Sequence, residues 1–144
     1  MSAEDDLNEV LERFKLAANE LLKGNPVPLQ TVFSHREDVS LANPFGPPAH
    51  GWDEVARIME RAASNFRDGG IVAFEEVAKY VTPKLACTVW LERQQARLGG
   101  REDITPFTLR VTMVYRHEDG TWKVVHRHAD PITTPQPAES VIQK

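Results

Sequence analysis

The second half of the chain holds four runs of strand-forming residues with only turn signals between them. Val72–Val81 leads into Thr82-Pro83-Lys84, Leu85–Arg97 into Gly99-Gly100, Thr105–Arg116 into Glu118-Asp119-Gly120, and Thr121–Ala129 into a tail with prolines at 131, 135 and 137. Successive strands without an intervening helix pair as antiparallel neighbours, because a parallel partner needs a crossover of roughly a dozen residues. Each run is about ten residues, against a usual five or six. Strands that long in a small domain imply a strongly curved sheet.

The helices lie before it. Leu7, Val10, Leu11, Phe14, Ala17, Ala18, Leu21 and Leu22 recur at helical spacing and make one apolar stripe. Ser2 and Asp5 resemble a capping arrangement at its start, and Gly24-Asn25-Pro26 ends it. A short helix is expected over Pro28–Phe33. Val39–Ala42 then reads as a short strand entering the rigid loop Asn43-Pro44-Phe45-Gly46-Pro47-Pro48. Trp52, Val55, Met59, Ala62 and Phe66 mark a third helix, closed by Gly69-Gly70. Helices segregated before a strand meander imply an α+β fold, with a curved antiparallel sheet wrapped around the N-terminal helices and a cavity between them. One domain is expected over residues 1–130, followed by an extended or mobile tail over 131–144.

Composition narrows the function. Of 144 residues, 41% are hydrophobic and 26% charged, which is ordinary for a globular domain. The net charge of −4 offers no basic face for nucleic acid. A single cysteine, Cys87, cannot close an internal disulfide. The acidic start, Met1-Ser2-Ala3-Glu4-Asp5-Asp6, lacks the basic and apolar regions of a signal peptide. No stretch approaches the roughly 18 apolar residues of a membrane span. A cytoplasmic protein with no nucleic-acid or membrane partner is the expectation.

The last hairpin decides which side chains share a face. A three-residue loop, Glu118-Asp119-Gly120, places Arg116 opposite Trp122, Val114 opposite Val124, Thr112 opposite His126, and Arg110 opposite His128. One face then carries Arg110, Thr112, Val114, Trp122, Val124, His126 and His128. The other carries Val111, Met113, Tyr115, Lys123, Val125 and Arg127. A four-residue loop would shift the pairing by one and mix the faces; the register that groups the polar residues is preferred and assigns the first face to the pocket. The apolar strip of Val111, Met113, Tyr115 and Val125 is then left exposed, as a surface for a homodimer through the sheet.

In the order and spacing of Phe33-Ser34 to Asp38-Val39, Asn43-Pro44-Phe45-Gly46, His50-Gly51-Trp52, Leu109-Arg110-Val111-Thr112 and Trp122–His128, the chain resembles the nuclear transport factor 2-like superfamily, in its SnoaL-like and ketosteroid-isomerase-like branch. The resemblance spans about residues 5 to 130. It implies a cone of helices on a curved sheet, an internal pocket and a dimer through the sheet. That fold hosts isomerases, cyclases, dehydratases and non-catalytic binding modules alike. The isomerases' oxyanion tyrosine falls on Phe14, their general base on Asn43 and their oxyanion acid on Thr112. None of the three keeps the required group, so ketosteroid-type isomerisation is not expected. The acid/base pair of SnoaL-like cyclases falls on Thr112 and His126.

Histidine titrates near neutrality, so His126 is the candidate catalytic acid/base. Arg110, Thr112, Asn43 and His128 are candidates to orient a ligand, with Phe45 and Trp52 as an aromatic wall; Trp90 is a further wall or core candidate. His126, His128 and Asp130 could offer metal ligands, but Pro131 ends the strand there, and neither metal nor cofactor is expected. Asp38 is expected to cap a turn and Glu92 to sit in a surface ion pair. Cys87 reads as a small buried hydrophobe. The expected ligand is a small apolar molecule with a polar or carbonyl group. It is either transformed by proton transfer, as in an isomerase or cyclase, or only bound in a non-catalytic sensing or oligomerisation module.

Overall fold

The computed structural model describes residues 2–143. Its helices are α1 (Ala3–Leu21), α2 (Val27–Val32) and α3 (Trp52–Ala63). Its strands are β1 (Ser40–Ala42), β2 (Ala49–His50), β3 (Phe66–Val81), β4 (Leu85–Leu98), β5 (Ile104–Glu118) and β6 (Thr121–Asp130). They form one curved, unclosed sheet in the order β2-β1-β6-β5-β4-β3, antiparallel except where β1 runs parallel to β6. The α+β cone expected from the segregation of helices and strands is the fold observed.

The Ser2 hydroxyl accepts from the Asp5 N–H at 3.1 Å, and the Asp5 carboxylate accepts from the Ser2 N–H at 3.5 Å, a reciprocal capping box for α1. The predicted stripe buries Leu7, Val10, Leu11, Phe14, Ala17 and Ala18 against the sheet. Opposite them lie Val55 and Met59 of α3 and Trp90, Val111, Met113, Tyr115 and Val124 of the sheet. The breaks after Val81 and after Leu98 fall where the turn residues place them. Residues 131–143 are exposed, with a single 3-10 turn at Ala138–Val141.

Two local readings change. Gly69-Gly70 does not end a helix; it lies inside β3, which begins at Phe66 and shifts register between Arg67 and Gly70. A Cβ on Gly69 would stand 2.6 Å from both the Ala96 Cβ and the Gln95 carbonyl oxygen, so the glycine serves close approach of chain to chain. The final hairpin turns on two residues rather than three. Asp119 and Gly120 have φ of 52° and 83°, the paired positive values of a type I′ turn. Glu118 therefore faces Thr121 and His117 faces Trp122.

A bulge then alters the rest of β6. Tyr115 pairs with Val124 but Val114 pairs with His126, so Val125 is an extra residue. Past it the alternation reverses: Trp122 and Val124 point into the cone, while His126 and His128 point out, opposite Val114 and Thr112. The strip assigned to dimerisation is consequently interior. Val111, Met113, Tyr115 and Val125 are at most 9% exposed and form core, because an apolar face is the one that helices cover.

Candidate functional site

Alternation along β4 sends Ala86, Thr88, Trp90, Glu92, Gln94 and Ala96 to the concave side, all of them buried. The bulge in β6 brings Arg127 to the same side, two strands away across the sheet's curve. There its guanidinium meets Glu92 in a two-pronged pair, Nη1 to Oε2 at 2.7 Å and Nη2 to Oε1 at 2.8 Å. The indole N–H of Trp90 donates to the same Glu92 Oε2 at 2.9 Å. Arg127 also lies 5.4 Å from the centre of the Phe14 ring, which stacks obliquely beside Trp90. Burial disfavours the Arg127 charge, but Glu92 more than offsets it and raises the guanidinium's pKa above its ordinary value. Nearby, Tyr115 and Thr88 share a 2.6 Å hydroxyl hydrogen bond, and burial pushes the Tyr115 phenol upward.

Above this polar floor lies a cavity of about 50 Å³, by itself room for a few waters. Its walls are mainly apolar, from Leu21, Leu29, Met59, Phe66 and Leu109, and its polar members are Asn43, Gln94 and Arg127. Pro44 and Phe45 stand at its mouth and also border a groove lined by Leu98, Phe107 and Pro131. The Asn43 side-chain oxygen accepts from the Phe45 N–H at 3.0 Å, which shapes the loop that carries the ring. Gln94 is 6% exposed, and its amide nitrogen is buried without a hydrogen-bond partner among the described residues.

The remaining sequence candidates assemble elsewhere. Arg110, Thr112, His126 and His128 do come together, beside Val89, but in an open depression on the outer face of the sheet. The Ser40 hydroxyl and His126 Nδ1 are 2.7 Å apart. His128 Nε2 lies 2.8 Å from one Asp130 oxygen, and Arg110 Nε donates to the other at 2.7 Å. Burial, then the neighbouring His128, lowers the His126 pKa. Burial opposes the Asp130 charge, yet the bonds from Arg110 and His128 win and hold its pKa down. Among the described residues no three histidine, cysteine, aspartate or glutamate side chains are arranged to hold a metal. Thr112 faces away from the cone, and its inward neighbours Val111 and Met113 carry no acid.

Trp52 does not reach the cavity; it packs on the core and stacks on His35 at 3.8 Å. Trp90 is core, between Phe14 and Phe74. Asp38 does more than shape a turn: two bonds from Arg116, at 2.7 and 3.0 Å, lower its pKa. Glu92, read as a surface ion pair, is 1% exposed. Cys87 is half-buried on the outer face, and burial raises its thiol pKa.

Sequence reasoning missed Glu92, Gln94 and Arg127. The signal present was the uninterrupted Val111, Met113, Tyr115 alternation, which argues for that face inward. Arg127 belongs to it, and an inward arginine in a core needs a carboxylate such as Glu92.

Comparison with known proteins places these features in context. Residues 10–133 match the family model described as SnoaL-like domain. The fold is similar to that of a nuclear transport factor 2-like superfamily protein from Salmonella enterica serovar Typhimurium, 17% identical, with a TM-score of 0.76 over 95% of this chain and 96% of that one. A candidate dehydratase of the same superfamily from Streptomyces avermitilis is 19% identical, with a TM-score of 0.73 over 90% and 96%. A ketosteroid isomerase-like protein from Erwinia carotovora is 16% identical, with a TM-score of 0.68 over 92% and 95%. At these identities the likeness is one of fold. No curated protein matches the sequence.

Proposed function

The chain belongs to the SnoaL-like domain family, and we propose that it binds a small apolar molecule bearing a polar or carbonyl group inside the cone. One observation carries this reading: an apolar cavity whose polar wall, Asn43, Gln94 and Arg127, holds no side chain that exchanges a proton near neutral pH. The carboxylate bonded to Arg127, that of Glu92, is engaged by Trp90 as well. Binding is therefore better supported than proton transfer within the cavity. The lone Cys87 suits a reducing, cytoplasmic setting, and no described helix is long and apolar enough to cross a membrane.

A catalytic reading rests on a different observation. His126, depressed in pKa and bonded to Ser40, lies beside Arg110 and His128, so a general base would act at the outer face. The homodimer proposal moves to that face as well. On β4 and its neighbours the outward residues Tyr80, Leu85, Cys87, Val89 and Val114 are apolar, and Tyr80 and Leu85 are more than half exposed.

Native mass spectrometry in the presence of acetophenone tests both proposals. A dimer with one ketone per subunit is expected, unaffected by His126→Ala and lost in Ala129→Leu, which fills the cavity wall. Retention of the ketone in a folded Ala129→Leu variant, or its loss in His126→Ala, would move the site outside the cone. Monomers for Leu85→Glu and dimers for the parent would support the outer interface.

A further inference from the structure

The polar end of the cavity has an unusual electrical character. An arginine in an apolar cavity ordinarily invites a carboxylate, and a second carboxylate beside it ordinarily cancels that invitation. Here the cancellation is built in: both forward nitrogens of Arg127 are bonded to the two oxygens of Glu92 at 2.7 and 2.8 Å. Glu92 has its own third bond from Trp90, so the trio is saturated from within. An anionic ligand entering here would face Glu92 across a medium of low polarity, with no uncompensated positive charge to meet it.

Gln94 is the opposite case. It follows Glu92 by two residues, lines the same cavity, and is 94% buried, yet its amide nitrogen has no partner among the described residues. A buried donor without an acceptor is costly, and the cost is relieved by whatever supplies one. Gln94 is among the residues that line the cavity, so a ligand held there is placed to supply that acceptor.

We infer that the site selects a neutral, hydrogen-bond-accepting group, such as a ketone, ester or ether oxygen, on an apolar body, and rejects carboxylates, with Gln94 as the specificity-determining donor and the Glu92–Arg127 pair as the reason anions are excluded. This rests on the binding reading given above. Gln94 meets the ligand oxygen; Arg127 and Glu92 act by presenting a neutral floor. The groove beyond Phe45 accommodates the rest of a longer molecule.

Three probes of similar size, cyclohexanone, methylcyclohexane and cyclohexanecarboxylate, titrated at pH 7.5 and followed by protein fluorescence and calorimetry, test it. The parent protein should bind the ketone and the hydrocarbon and should bind the carboxylate at least about 100-fold more weakly than the ketone. In Gln94→Leu the ketone-to-hydrocarbon affinity ratio should fall about tenfold, the size of one hydrogen bond. In Glu92→Gln, which frees Arg127, carboxylate binding should appear. If that variant does not fold, the first two results still decide. An unchanged ratio in Gln94→Leu, or parent protein that binds the carboxylate as well as the ketone, would overturn the selectivity while leaving the cavity as the binding site. Absence of binding by all three probes would overturn the cavity reading itself.

Discussion

The inner and outer faces of the sheet carry nearly the same groups in opposite settings. Inside, a carboxylate, an arginine and an amide gather as Glu92, Arg127 and Gln94, none more than 12% exposed at the side chain where an ion pair is made. Outside, Asp130, Arg110 and His128 make a similar set, with Arg110 and His128 about half exposed. Water can replace any partner lost from the outer set, so those bonds orient side chains without greatly stabilising the fold. Nothing replaces a partner lost inside, where an unpaired charge is stranded. The histidines, chemically the most conspicuous residues, stand where solvent competes, while the inconspicuous Gln94 stands where a single missing bond matters.

The contrast breaks most sharply at Glu92. Glu92→Ala should lower stability by about 3–5 kcal/mol in urea unfolding, because it strands Arg127. Glu92→Leu combined with Arg127→Met should restore most of that loss; a double variant as unstable as the single would show that the charge is not the cause. Neighbouring positions on β5 give the next test. Met113→Ala, on the inner face, should cost about 2–5 kcal/mol, whereas Thr112→Ala should stay within about 0.5 kcal/mol. A reversed ranking in thermal or urea denaturation would exchange the two faces. Arg110→Ala, which opens the outer pair, should cost no more than about 1 kcal/mol, and a larger loss would show that the outer cluster is shielded from water.

The smallest effect is one of pH. Because the folded pKa of His126 lies below the ordinary value of 6.5, the unfolded chain takes up the proton first as pH falls. The neutral imidazole's contribution is complete above about pH 6.5 and declines as pH drops toward the folded value. His126→Gln should therefore flatten the Tm profile between about pH 7.5 and 5.5. A profile as steep as the parent's would assign the acid sensitivity to other groups.

The cone was legible in the sequence because its determinants are local and repeated. The α1 stripe, the capping box and the turn residues each act within a few positions, and their order alone implies the topology. The site was legible only in part. Arg110, Thr112, His126 and His128 were correctly grouped on one face, because that grouping survives both the shorter turn and the extra residue. Which face they occupy was not, for two reasons. A single inserted residue, Val125, reverses the alternation of β6, and Val124-Val125 look alike in sequence. On β4 the more apolar set, Cys87, Val89 and Leu91, faces outward while Glu92 and Gln94 face inward, against the usual rule. That inversion makes sense only once Arg127, 35 residues away, is seen to meet Glu92.

A crystal structure of the protein grown with cyclohexanone would test most directly whether the cone interior is the functional site. Density for the ring against Met59 and Leu109, with the ketone oxygen within hydrogen-bonding distance of the Gln94 amide, is the predicted result. Density over His126 and His128 on the outer face, with the interior unchanged, would contradict it.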